Sequence, residues 1–220
     1  MLVRVWDAPT RLFHWALALC FVCMVVTGQI GGTAMVWHFR FGYGVFALLL
    51  FRLAWGLFGG HWSRFSTFVV GPSRIWRYLR GQGAEHDAIG HNPLGGLSIL
   101  AMLIFLFMQI ASGLLSDDEI AATGPLVQFV SSNLVSVATF YHKEIGKVAL
   151  LGMVFLHLGA IAFYYFRKRE NLVIPMITGD KSTPLDVPSA RDAWPERRRG
   201  LLIFLVCSAL VWSAVTILNG

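Results

Sequence analysis

Five apolar stretches organise the chain. They run near Leu12–Ile30, Phe39–Gly59, Leu94–Leu115, Ile145–Phe166 and Leu201–Leu218, separated by polar connections that carry most of the charge. Each approaches the roughly 20 residues a helix needs to cross the hydrocarbon core of a bilayer. Helix is the expected form, because backbone in lipid must satisfy its own N–H and C=O groups. The period-2 alternation of a membrane barrel is absent. The pattern therefore predicts an all-α protein with five transmembrane helices.

Composition agrees. Apolar residues make up 56% of the 220 residues and charged residues 14%, where a soluble domain carries about 25% charged residues. Mean hydropathy is +0.63. The net charge of +6 does not point to nucleic acid, because the basic residues gather between apolar runs. Arg4 and Arg11 precede the first run, and Arg64, Arg74, Arg77 and Arg80 follow the second. Arg167, Lys168, Arg169, Lys181, Arg191, Arg197, Arg198 and Arg199 follow the fourth. The loops on the other side, about 31–38 and 116–144, hold Lys143 as their one basic residue and carry Asp117, Asp118, Glu119 and Glu144. The positive-inside rule then puts the N-terminus in the cytoplasm and the C-terminus outside.

Smaller features refine this plan. Pro72–Arg80 reads as a short amphipathic helix on the membrane surface, with proline suited to a first turn and Gly81 to the stop. Residues 178–199 are rich in Pro, Asp and Arg and lack a helical period, which marks a linker. The expected organisation is a four-helix core over residues 1–181, a cytoplasmic linker over 182–200 and an extra transmembrane helix over 201–218. Cys20 and Cys23 form a C-x-x-C, but Met24 follows where covalent haem attachment needs histidine. With Cys207 they read as small buried or lipid-facing residues. The first apolar run reads as a retained span rather than a cleaved signal.

The histidines carry the chemistry. There are seven, at 14, 38, 61, 86, 91, 142 and 157. Ionisable groups inside spans are rare and usually functional, although a single buried histidine can also simply bond a backbone carbonyl. His14 falls near the cytoplasmic end of the first span and His38 at the outer end of the second. His142 falls at the outer end of the fourth and His157 deeper in the same helix. The two on the fourth helix are separated by about 22 Å of rise and about 60° of rotation, so both can face the same neighbours. Matching depth pairs His38 with His142 and His14 with His157. One helix thus supplies a ligand to each of two stacked metal centres. Haem iron accepts axial histidine, and a bis-His centre leaves no open position, which suits electron transfer. Structural zinc is less suited, because no third or fourth N/S ligand occurs at either depth.

Neighbouring residues fit a bulky planar cofactor. Gly42, Gly44, Gly95, Gly96, Gly146 and Gly152 lie in or at the ends of spans, where they allow close approach of a macrocycle or of another helix. Arg52 lies about 21 Å down the second helix from His38 and within ~40° of its face. Its charge needs a partner, either a haem propionate or the headgroups by snorkelling. Arg11, Arg40, Lys143 and Lys147 lie near the same depths. His61 and His86 read as loop histidines. His91 and Asn92 open the third span beside Pro93, where they could hydrogen-bond a quinone carbonyl.

Taken together, these residues resemble the bacterial cytochrome b561 and nickel–iron hydrogenase b-type cytochrome family. The match starts at Arg4-Val5-Trp6-Asp7, Arg11-Leu12-Phe13-His14-Trp15 and Thr27-Gly28. It continues at His38, Gly42-Tyr43 and Arg52-Leu53, then at Gly90-His91-Asn92-Pro93-Leu94-Gly95, Gln109 and Ser112-Gly113-Leu114. Tyr141-His142-Lys143-Glu144, Leu156-His157 and Met176-Ile177-Thr178-Gly179-Asp180-Lys181 complete it, so the likeness spans about residues 4–181. The resemblance implies a four-helix bundle in the bacterial inner membrane that binds two haems b, with axial ligands at His14, His38, His142 and His157. It implies electron exchange between membrane quinone and a periplasmic partner, a c-type cytochrome or hydrogenase subunit. The fifth span lies outside the shared core, and the chain is compatible with a homodimer. Two other classes stay open. One is a quinone-coupled superoxide oxidase with Arg40, Lys143 and Lys147 as its cationic path. The other is a haem-free anchor or transporter.

Overall fold

Every predicted run becomes a helix, and all five helices begin upstream of the apolar run. A computed structural model of the protein describes residues 1–84, 89–118 and 122–219, so His86 and Glu119 lie outside the described residues. The span helices are Ala8–Ile30, Met35–Phe58, Pro93–Leu114, the continuous stretch Ser132–Arg167 and Trp194–Asn219. All five are long and apolar enough to cross a membrane. The protein is an all-α integral membrane protein.

Local chemistry explains where the helices start. Asp7 precedes the first, and its Oδ1 accepts the Thr10 N–H at 2.8 Å, as an N-cap side chain does. Asn92 caps the third by accepting the Gly95 N–H at 2.7 Å, with Pro93 at the first helical position. Ser131 caps the fourth through the Leu134 N–H. The fifth helix starts at Trp194, upstream of the expected Leu201, and takes in Arg197, Arg198 and Arg199. Two of those charges have partners that make the polar turn worthwhile: Arg197 Nε donates to Asp192 at 3.0 Å, and Arg199 donates to the Phe58 carbonyl. The expected surface helix forms over Pro72–Leu79, with the Arg80 guanidinium 4.9 Å from the Trp76 ring centre, and Gly81 follows it at φ 75°.

One short sheet is also present. β1 (Leu2–Arg4) pairs antiparallel with β2 (Asp180–Ser182), with Val3 opposite Lys181.

The chain divides into two compact units. The first takes Met1–His14, Arg52–Ala101 and Phe155–Ile203. Its apolar cluster is Val5, Trp6 and Ile89, packed against Trp62, Met176, Leu185 and Val187. Asp192 ties its polar parts together. That carboxylate accepts from Arg4 at 2.7 Å, from the Ala8 N–H at 3.0 Å and from Arg197 at 3.0 Å. The second unit takes Trp15–Phe51, Met102–Val154 and Phe204–Gly220. It buries Val45, Leu48, Leu49 and Phe51 of the second span, Leu103, Leu106 and Ile110 of the third, Leu150 of the fourth, and Cys207 and Val211 of the fifth.

Candidate functional site

Among the described residues, each unit contains a facing pair of histidines. In the first unit the rings of His14 and His157 have centroids 6.4 Å apart and planes inclined at 56°. In the second, His38 and His142 have centroids 6.2 Å apart and planes at 83°. A first-row metal sits about 2.0 Å from a histidine nitrogen, which itself lies roughly 1.1 Å from the ring centre, so two imidazoles on opposite sides of one metal would put their centroids about 6.2 Å apart. Both pairs match that spacing. Among the described residues no cluster of three or more His, Cys, Asp or Glu could hold a bare metal ion. A two-histidine site suits a metal that brings its own equatorial donors, as a macrocycle does.

The His38–His142 site is built from backbone. The His38 Nδ1 lies 2.9 Å from the Met24 carbonyl. A carbonyl only accepts, so Nδ1 carries the proton and Nε2 presents a lone pair. The His142 Nδ1 likewise donates to the Gln109 carbonyl at 2.9 Å, with the Ser112 hydroxyl at 3.3 Å. Both rings rest on glycine. A Cβ at Gly28 would lie 3.1 Å from His38 Nδ1, and one at Gly113 would lie 2.7 Å from His142 Cε1. His142 belongs to a π-helical turn, Tyr141–Gly146, within the fourth helix.

The unit that holds His14 and His157 is built differently, from buried side chains. Asp7 is wholly buried. Its carboxylate accepts from the Ser63 hydroxyl at 2.8 Å, and the Trp55 Nε1 lies 3.2 Å from Oδ1. Because the Ser63 proton goes to Asp7, Thr10 Oγ1 is the donor in its 2.8 Å contact with Ser63. Arg52 is 3% exposed and donates to the Ser63 carbonyl at 3.0 Å, with its guanidinium 4.8 Å from the Phe65 ring centre. It therefore does not snorkel to the headgroups. The partners it shows are protein groups.

The other predicted residues scatter. Arg11 donates to the Ile177 carbonyl at 2.6 Å and pairs with Asp192 at 3.4 Å. Arg40 is exposed and stacks on Trp37 at 4.8 Å. Lys143 lines an open cavity of about 590 Å³ with Asp117, Thr139 and Glu144. A Cβ at Gly152 would meet nothing within 4 Å, which leaves room for a flat group. His91 lies between Trp6 and Phe68, each with ring centre 4.5 Å away, and has a buried Nδ1 with no hydrogen-bond partner. Burial, reinforced by nearby Arg52, pushes its pKa down to about 3. It lines a cavity of about 460 Å³ with His61, Trp62, Thr67, Phe68 and Arg74. Asn92 spends both ends of its amide on structure, because Nδ2 donates to the Tyr164 hydroxyl at 2.6 Å while Oδ1 caps the third helix.

Outside the spans, ion pairing sets the charge states. The Arg4 guanidinium beside Asp180 holds that carboxyl below the usual range. Burial raises Asp192, but hydrogen bonds from Arg197, the Ala8 N–H and Arg4 outweigh it and leave the group lowered.

Comparison with known proteins adds the family. The profile described as prokaryotic cytochrome b561 matches residues 5–179. A protein of Bradyrhizobium diazoefficiens named probable Ni/Fe-hydrogenase B-type cytochrome subunit is 24% identical, across 81% of this chain and 85% of its own. One of the same name from Azotobacter vinelandii is 28% identical, across 78% and 82%. The probable Ni/Fe-hydrogenase 1 B-type cytochrome subunit of Escherichia coli K12 is 25% identical, across 50% and 57%. No solved structure matches the chain.

Proposed function

Because the chain belongs to the prokaryotic cytochrome b561 family, we propose that it binds two haems b, one between His14 and His157 and one between His38 and His142. Through them it carries electrons between the quinone pool and a periplasmic redox partner. Haem b and electron transfer in a membrane come with the family. The number of haems, their ligands, the quinone and the partner are our reading. The observation that carries it is the recurrence, in both units, of an imidazole pair at the spacing of two trans ligands.

Haem supplies a one-electron carrier. The chain's own residues do the rest. His14 with His157, and His38 with His142, would hold the two haems and would leave no open ligand position for oxygen or substrate, so the chemistry supplied there would be electron transfer. Proton donation from His38 and His142 to the Met24 and Gln109 carbonyls fixes their tautomers and would make both rings more basic ligands for a bound haem. The charge asymmetry of the loops supports a bacterial inner-membrane protein with a cytoplasmic N-terminus and a periplasmic C-terminus. The names of its relatives support a hydrogenase subunit as the partner ahead of a c-type cytochrome. For the quinone, the unpaired His91 Nδ1 supports His91 as the residue that meets a carbonyl oxygen, ahead of the fully engaged Asn92.

A haem assay with visible spectra tests this directly. The parent should hold two haems b per chain. His38→Ala and His14→Ala should each leave one, with different residual α bands. Unchanged stoichiometry in either variant overturns the ligand assignment.

A further inference from the structure

We propose that Gln109 is the positioning residue of His142: it fixes the plane of that imidazole, and with it the electronic structure of the haem bound there. The inference rests on the reading that His38 and His142 hold a haem.

An axial histidine on a regular helix takes its ring angle from its rotamer and from a backbone set by the i→i−4 ladder. At His142 the backbone is not regular. Tyr141–Gly146 forms a π-turn between the α-helical segments Ser132–Phe140 and Lys147–Arg167. Such turns shift the ladder by one residue and cluster at functional positions. A side chain that reaches into the ladder is one identifiable cause of such a distortion.

Gln109 is that side chain. Its Nε2 donates to the His142 carbonyl at 3.0 Å. The acceptor can only accept, so the amide cannot turn round without losing the bond. The Gln109 side-chain oxygen faces Gly146, where a built Cβ would overlap it and would lie 2.9 Å from the Tyr141 ring. Any side chain larger than hydrogen at 146 would therefore evict the amide. The backbone of Gln109 acts on the same residue from the other end, because its carbonyl takes the His142 Nδ1–H at 2.9 Å. The Ser112 hydroxyl also donates to that carbonyl at 3.0 Å and supports it. One residue of the third span thus grips both the main chain and the ring of His142, and Gly113 bounds the ring on a further side. Gln109 is 9% exposed, so water does not readily replace its amide.

The outcome of this grip is the 83° angle between the His38 and His142 planes. Near-perpendicular axial planes leave the two iron dπ orbitals close in energy. The oxidised haem then shows a low-spin EPR signal with a large maximum g value, whereas more nearly parallel planes lower that value. The ring angle therefore has a direct spectroscopic reading.

Two variants act on the grip by separate routes. Gln109→Met removes the donor while keeping the length of the side chain. Gly146→Ala leaves the glutamine in place but fills the space its amide occupies. In the purified full-length protein, both should retain two haems. Both should lower the maximum g value of the His38–His142 haem and shift its midpoint potential, while the signals of the His14–His157 haem stay where they are. Spectra and potentials identical to the parent's in both variants would overturn the inference. So would equal shifts at both haems, which would mean a general loosening. A parent with one haem, or a His142→Ala variant that keeps both, would overturn the underlying haem reading instead.

Discussion

The two units contain histidine pairs at nearly the same spacing but are built from different materials. Around the rings of His38 and His142 the shortest contacts are with main-chain carbonyls and glycines, joined at His142 by the uncharged side chains of Ser112 and Gln109: the Met24 and Gln109 carbonyls accept from the rings, and Gly28 and Gly113 give them room. The unit containing His14 and His157 is organised instead by side chains: Asp7 with Ser63, Thr10 and Trp55, Arg52 beside them, and Asp192 with Arg4, Arg11 and Arg197. Backbone dipoles carry no titratable proton and are weakly screened by salt. Paired charges respond to both. The first unit is therefore expected to be sensitive to acid and to single charge deletions, and the second to the volume of single atoms.

The largest test of that contrast is Asp7→Ala. It strands a buried indole N–H, a hydroxyl and a helix N-cap, and removes the carboxylate near buried Arg52, at a cost of about 3–5 kcal/mol. On heating in detergent, the α band of the His14–His157 haem should be lost at lower temperature than in the parent, with the His38–His142 band persisting. Loss of both bands together would show that the units melt as one block and break the comparison. Next comes Gly113→Ala, whose new methyl would sit 2.7 Å from His142 Cε1. Overpacking of that kind costs about 1–3 kcal/mol, and it should fall on the His38–His142 haem alone. Gly28→Ala, with 3.1 Å available, should cost less. Equal losses would mean that neither glycine is there for the ring.

The smallest effect comes from His91. Its pKa in the fold is about 3, below the ordinary value near 6.5. A lowered histidine pKa means that the fold favours the neutral form. Its contribution is complete above about pH 6.5 and is lost as the pH falls toward 3. Between pH 8 and 6 the loss is about 1 kcal/mol. Melting temperatures at the two pH values should differ in the parent, and the difference should shrink in His91→Phe. A variant with the parent's slope would remove His91 as the cause.

Much of this was legible from residue order alone. The five spans follow from apolar run length, and the histidine pairing follows from depth and helical period. What escaped has physical reasons. The fifth helix reaches up to Trp194 because Asp192 and the Phe58 carbonyl receive its arginines, and the Phe58 carbonyl comes from a distant part of the chain. The β1–β2 ladder has three residues a side, too short for an alternating pattern to show. Nothing in Tyr141-His142-Lys143-Glu144-Ile145-Gly146 announces a π-turn, since the group that grips it comes from Gln109 on another helix. Arg52 could be read as needing a partner, but its contact with Ser63 depended on a turn whose path the sequence does not state. Gly28 and Gly113 are visible in the sequence as members of motifs, and only the fold gives them imidazole neighbours.

The pairing of β1 with β2 and the reach of Arg4 to Asp192 also bear on how the protein is made. Residues 2–4 leave the ribosome long before their partners at 180–182 and 192. The N-terminal segment must therefore wait through most of translation, four membrane insertions included, before it can dock. The partners of Met24 and Gly28, at residue 38, arrive almost at once. Ribosome-bound nascent chains stalled before and after residue 192 should differ in how readily a protease clips residues 2–11.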